Sequence, residues 1–242
     1  MNNKVAIMTS VFYPEDSKTK FELVKKVLGI IPDYAGVDYD LFIMNDGTPD
    51  ERLEEYLLAY KPRDYCKNIY YTSRENKGIT KSLNELLNKI DDSYAYICHL
   101  DLDVLVPVHW LKKCKQVLDE FDKVGICGVL VEDELNFTFT QGILTTKNNN
   151  LFAPVSAIGG ACLMFRAKEL KSYMWDESLT SDHVDAHIIH TYRKNKKSVC
   201  AIIDRGYHPK DLYESPEYIK RKYMRYQTEL PKFYELHKEL KP

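Results

Sequence analysis

Four times before residue 122, a short run of aliphatic and aromatic residues gives way to a stretch with apolar residues at helical spacing. That alternation constrains the fold more than any other feature of the chain. "KVAIMTS" precedes a helix predicted from about Asp16, with Phe21, Val24, Val27, Leu28 and Ile31 on one face. "YDLFIM" ends at Asn45-Asp46-Gly47-Thr48, and Pro49 is placed to open a helix carrying Leu53, Tyr56, Leu57 and Tyr60. "NIYYT" precedes a helix over Gly78 to Ile90, and "YAYICHL" one over Trp110 to Phe121. "VGICGVLV" completes a βαβαβαβαβ series. Such a series predicts an α/β fold with a mixed, mainly parallel central sheet and helices on both faces.

The regularity then lapses. Residues 132 to 156 are polar, and "KNNN" marks a loop or hairpin tip. Order resumes with "GGACLMFR", a helix from roughly Asp182 to Asn195, and the strand "SVCAIID". No Pro-, Gly- or Ser-rich linker divides the chain. The expected organisation is a catalytic domain over 1–213, with a nucleotide-binding half (1–131) and an acceptor half (132–213), then a helical tail over 214–242.

Composition narrows the function classes. Across 242 residues the hydrophobic share is 44%, enough for a large core, and the net charge of −2 gives no global field for nucleic acid or acidic membrane. No apolar run has the length of a spanning helix. "MNNKVAIMTS" reads as a strand start rather than a secretion signal. The six cysteines form no CxxC pair, which argues for reduced thiols in a cytoplasmic protein and against a zinc site. Cys98, Cys127 and Cys162 lie in apolar segments and read as core. The sequon at Asn136 carries no meaning in that compartment.

The chemistry concentrates in "YICHLDLDVLVP", where a buried-looking strand ends on Asp101 and Asp103. About one D-x-D triplet is expected by chance in a chain of this size, and Asp38-Tyr39-Asp40 is another. The earlier triplet precedes a strand and reads as a solvated turn. The later one follows a strand, where open α/β sheets bind ligands. Residues two apart on extended chain point the same way, so both carboxylates can face one ligand. Hard oxygen donors suit Mg²⁺ or Mn²⁺ bridging to phosphate, and a hydrogen-bonded structural turn is the alternative. Other strand ends are small and polar. Asp46 suits a base N–H or a ribose hydroxyl, or a helix cap; Gly78 suits close backbone approach, or a plain turn; Lys81 suits phosphate charge, or solvent.

Taken in order, "VAIMTSVFYPE", "FIMNDGTPDE", "ENKGITKSLNELL", "YICHLDLDVLVP", "GGACLMFR" and "WDESLTSDHVDAHIIHTYRKN" resemble the family 2 glycosyltransferases, over residues 4 to 210. The resemblance implies a nucleotide-diphospho-sugar transferase fold, nucleobase contacts at Thr9, Val11 and Asp46, and Asp101 near the ribose or metal. It also implies Asp103 as metal ligand and Gly159-Gly160 beneath the sugar. Aligned back from "TYRKNKK", Asp185 takes the catalytic-base position, with Val184 and His187 where the family carries acids; a shifted alignment chooses Asp182. His208 falls where related enzymes supply a late histidine to metal or diphosphate, against a structural role before Pro209.

The implied reaction is an inverting, Mn²⁺- or Mg²⁺-dependent transfer from a nucleotide-diphosphate sugar, with a UDP-sugar expected, to a hydroxyl on a glycan, a lipid carrier or another acceptor. The start of the tail is basic and interleaved with Tyr218, Tyr223 and Tyr226. It is a candidate for peripheral contact with the inner membrane face, an anionic lipid-linked acceptor or nucleic acid, although its acidic residues favour a packed surface helix. A rival resemblance, to haloacid-dehalogenase phosphatases, would make Asp101 a nucleophile and Asp103 an acid, but it leaves the earlier strand ends idle. A non-catalytic sugar-nucleotide binder is the third reading, kept open by the altered residues around Asp185.

Overall fold

The structure is a computed structural model that describes residues 4–14, 18–64, 66–131, 142–179 and 184–209. The β/α series forms as the periodicity predicts: β1 (Val5–Val11), α1 (Lys18–Tyr34), β2 (Tyr39–Asp46), α2 (Glu51–Ala59), β3 (Asn68–Ser73), α3 (Ile79–Lys89), β4 (Tyr96–Leu100), α4 (Trp110–Glu120) and β5 (Val124–Val131). Pro49 stands outside α2, whose N-cap is Asp50; that carboxylate accepts from Arg52 N. The second half adds β6 (Leu144–Thr145), β7 (Leu151–Pro154), β8 (Cys162–Arg166), α5 (Ala167–Tyr173), α6 (Val184–Lys194) and β9 (Ser198–Gly206). β6 and β7 form the hairpin expected around "KNNN", with Asn149 left-handed at φ 60°.

All nine strands join one mixed sheet in the order β3-β2-β1-β4-β8-β5-β9-β7-β6. Strands β1 to β4 pair in parallel, and β5 pairs in parallel with β9. Antiparallel pairing belongs to the second half: β8 lies antiparallel between β4 and β5, and β7 against β9. The fifth strand of the alternating series is therefore separated from the fourth by a strand that comes later in the chain.

Two apolar clusters cover the sheet. One holds Val5, Ile7, Leu41, Ile43, Cys98 and Leu100 with α1, α2 and α4; the other holds Ala6, Met8, Phe42, Met44 and Ile97 with α3, α5 and α6. Burial on both faces explains why these strands read as continuous apolar runs. All six cysteines are free and buried, and they all belong to the first cluster. Burial pushes the thiols of Cys98, Cys127, Cys162 and Cys200 upward, so they remain protonated core side chains. No helix among the described residues is long and apolar enough to cross a membrane.

Candidate active site

Strand parity decides which polar residues can meet at the carboxyl edge. On β2, Phe42 and Met44 face α3, so Asp46 follows on that face; on β4, Ile97 does, so His99 follows, and after Leu100 the chain turns through residues 101–104, with Val104 N donating to Asp101 O at 3.4 Å. Within that turn Leu102 and Val104 point inward, while Asp101 and Asp103 keep side-chain exposures of 34% and 43%. On β1 the same rule selects Ser10, after Ala6 and Met8. Thr9 and Val11 lie on the opposite face, and the Thr9 hydroxyl is fully enclosed without a hydrogen-bond partner.

Asp46 is 1% exposed, and its carboxylate accepts from Lys77 N and Gly78 N, both at 3.0 Å. This ties the end of β2 to the loop that opens α3. The same loop packs so closely that a Cβ on Gly47 (φ +78°) would meet the Glu75 carbonyl carbon at 2.5 Å. Gly78 adopts φ +89° with open space where a Cβ would stand. Asp46 thus holds the loop ahead of α3 by its backbone amides, while the cap of α2 is Asp50. Lys81 is exposed on the first turn of α3.

A continuous run of contacts joins the remaining predicted residues. Because β8 is antiparallel to β4, its start lies beside the end of β4, and Asp101 N donates to Ala161 O at 2.8 Å. The next residue back, Gly160, donates its N–H to Asp185 Oδ2 at 3.0 Å; Asp185 Oδ1 accepts from Ala186 N at 2.8 Å. Asp185 sits half-buried in the first turn of α6 and touches Gly160 closely enough that a Cβ there would lie 3.2 Å from its own Cβ. On the other side, Leu105 and Tyr207 exchange backbone hydrogen bonds at 2.8 Å, carrying His208 to Asp103, with Nε2 3.3 Å from Oδ2. Asp182 and the tail lie outside the described residues.

Loss of hydration at the floor of this recess raises the Asp101 carboxyl above the usual range; the His99 charge opposes that shift, and the Asp103 charge adds to it. Among the described residues no group of three or more ligating side chains converges by itself on an ion. The donors present nevertheless fit a hard divalent cation held by a carboxylate or two, with phosphate and water completing the shell. Asp103 and His208 already stand together, and Asp101 lies in the same turn as Asp103.

Sequence reasoning passed over three residues. Ser10 is identified by parity alone. His99 lies beneath Asp101, with Nε2 3.2 Å from Oδ1. Buried Asn84 on α3 holds Trp175 by both backbone groups (to O at 2.8 Å, from N at 3.0 Å) and Glu177 Oε1 at 3.0 Å. With Thr80, which donates to Leu179 O at 3.1 Å, it anchors the segment that leads toward α6.

A sheet of this kind, with acidic residues at the end of β4 and a glycine-supported carboxylate across from them, defines the class of nucleotide-sugar transferase folds. The family model described as "Glycosyl transferase family 2" matches residues 22–173. The chain belongs to that family. Among solved structures, S. aureus TarS 1–349 is similar with a TM-score of 0.60 at 15% identity, covering 87% of this chain and 62% of that one. GalNAc-T7 with UDP, GalNAc and Mn²⁺ gives 0.62 at 11% identity, covering 85% and 43%. The mannosyltransferase PcManGT from Pyrobaculum calidifontis in complex with GDP-Man and Mn²⁺ gives 0.57 at 15%, covering 81% and 56%. The chain thus spans less than two thirds of each of these relatives, and the likeness establishes the fold. No curated protein matches the chain by sequence.

Proposed function

We propose that the protein transfers a sugar from a nucleotide-diphosphate donor, a UDP-sugar in the first instance, to an acceptor hydroxyl with inversion at the sugar carbon. The observation that carries this reading is the connected run from the acidic pair to Asp185 through Ala161 and Gly160. It brings Asp101 and Asp185 to one sheet edge, which supports reading them as a phosphate-side acid and a base. Two structural relatives that hold a nucleotide or nucleotide sugar together with Mn²⁺ support the same choice of donor and ion.

Asp103, Asp101 and His208 are the residues to hold Mn²⁺ or Mg²⁺, which when bound supplies positive charge against the departing diphosphate. Asp46, Gly78 and the main chain around Thr9 and Val11 receive the nucleoside; Lys81 and Gly160 border the diphosphate and sugar. Asp185 accepts the acceptor proton as the acceptor oxygen bonds to C1. The C1–O bond to the diphosphate breaks in the same step, and the nucleoside diphosphate leaves with the bonding pair. The Gly160 N–H fixes one Asp185 oxygen and leaves that carboxylate lone pairs for the proton. The acceptor is a glycan or a lipid-linked hydroxyl, met at the face that α6 borders.

A screen of UDP-, GDP-, TDP- and CMP-sugars for slow hydrolysis and thermal stabilisation, with and without Mn²⁺, tests this reading. The expected result is Mn²⁺-dependent stabilisation by one diphosphate class, UDP first. Stabilisation by none of them, or phosphatase activity with a trapped aspartyl-phosphate, would overturn it.

A further inference from the structure

The floor beneath the acidic pair is a histidine that the transfer reaction does not use directly. His99 lies on β4 with a side chain 5% exposed, in a strand whose other members are apolar or aromatic. Its Nε2 stands 3.2 Å from Asp101 Oδ1, off the line of a hydrogen bond, and makes no other hydrogen bond. A buried polar nitrogen left so is destabilising, and a leucine at the same place would avoid that cost. The ring is also held in place. It packs edge-on against Trp175 with ring centres 6.2 Å apart, and Asn84 grips the backbone of that tryptophan on both sides.

We propose that His99 is a positioning residue for Asp101. A carboxylate turns easily about its last torsion, because that sp³–sp² well is broad. An N–H at Nε2 that closes on Oδ1 when the ligand binds removes this freedom and leaves Oδ2 to the ligand. On the neighbouring aspartate, His208 stands against Asp103 at 3.3 Å, so each acid of the pair has its own imidazole. The difference between them is depth: the His208 side chain is 14% exposed against 5% for His99. The shallower histidine can reach a ligand, and the deeper one reaches only the aspartate. Contacts of this kind sharpen on binding, since catalytic hydrogen bonds are commonly loose in the empty enzyme. This role rests on the metal–diphosphate reading of Asp101 and Asp103.

The test is a Mn²⁺ titration by electron paramagnetic resonance, with UDP or GDP present, on wild type, His99→Leu, His99→Gln and His99→Asn. Melting temperatures monitor folding. Outer-shell partners of metal ligands typically contribute 10–100-fold in affinity, so His99→Leu is expected to bind Mn²⁺ about that much more weakly at an undiminished melting temperature. His99→Gln, whose amide N–H reaches the place of Nε2, should recover most of the loss. If His99→Leu does not fold, the comparison falls to His99→Gln against His99→Asn, whose shorter amide cannot reach Asp101 and should bind as weakly as predicted for leucine. Equal Mn²⁺ affinity in wild type and His99→Leu, or in the Gln and Asn pair, would overturn the positioning role alone. No Mn²⁺ binding by wild type would instead overturn the metal reading beneath it.

Discussion

Asp38-Tyr39-Asp40 and Asp101-Leu102-Asp103 carry the same acidic spacing on one sheet, and the structure uses them for opposite purposes. At the amino end of β2, Asp40 is 1% exposed and saturated. It pairs with Lys4 Nζ at 2.8 Å and accepts from Lys67 N at 2.7 Å and Tyr94 Oη at 2.6 Å. It is a buried fastener rather than the solvated turn its position suggested; only Asp38 is exposed. At the carboxyl end of β4, Asp101 and Asp103 face imidazoles at 3.2 and 3.3 Å and keep a third or more of each side chain open to solvent. A carboxylate whose hydrogen-bonding capacity is filled by protein belongs to the scaffold. One that stays partly open to solvent beyond the carboxyl end of a strand is placed to meet a ligand.

The contrast breaks most readily through catalysis. Asp185→Asn removes the proposed base at the carboxyl edge and is expected to lower kcat by about 10²–10⁴-fold, with donor binding retained. Steady-state rates together with nucleotide titration check this, and an unchanged kcat would return the base assignment to Asp182. Next in size is Asn84→Ala. With three hydrogen bonds lost and the Trp175 backbone left buried, about 2–3 kcal/mol of stability should go, read from urea unfolding. Activity should fall as well, because the segment leading toward α6 loses its anchor.

Asp40→Asn sharpens the comparison from the other edge. Burial alone would raise the Asp40 carboxyl, but Lys4, Tyr94 and the Lys67 N–H together hold it below the usual value. A depressed folded value contributes stability that is fully present above the unfolded value of about 3.9 and is lost as pH falls through the folded one. Wild type should therefore be more stable than Asp40→Asn by about 1–2 kcal/mol at neutral pH. The gap should close only below about pH 4. Denaturant melts across pH measure it, and Mn²⁺-dependent binding should be untouched. The smallest effect belongs to Lys77→Ala, which breaks an exposed 2.8 Å pair with Glu85 and should cost less than about 1 kcal/mol. The Asp46 contact at residue 77 uses the backbone and survives that substitution.

How far the sequence revealed these outcomes depends on the range over which each signal acts. Strands β1 to β4 and their helices were legible because a 3.6-residue apolar period against a short apolar run is a local pattern. The insertion of β8 between β4 and β5 was not, since "CLMFR" states that a strand exists but not which neighbours it takes or in which direction. Asp101 and Asp103 stood out by spacing and by their place after a strand, but the extended chain that spacing presumes ends at Leu100, and the pair lies in a turn. On β1 the phase was hidden, because Val5, Ala6, Ile7 and Met8 are apolar on both faces; parity puts Ser10, and not Thr9, on the face shared by Asp46 and His99. Nothing in "KSLNELL" marks Asn84 as interior, yet Thr80, Ser82 and Asn84 are all buried. Only the distant Trp175–Leu179 segment accounts for Thr80 and Asn84. The meeting of His208 with Asp103 likewise depends on the Leu105–Tyr207 bridge, which joins residues about a hundred positions apart.

Isothermal titration of UDP, with GDP in parallel, into wild type, Asp103→Ala and Asp40→Asn at fixed Mn²⁺ and with Mn²⁺ chelated tests the central claim most directly. The account predicts Mn²⁺-dependent binding in wild type and in Asp40→Asn, and its loss in Asp103→Ala. Undiminished Mn²⁺-dependent binding in Asp103→Ala would contradict it.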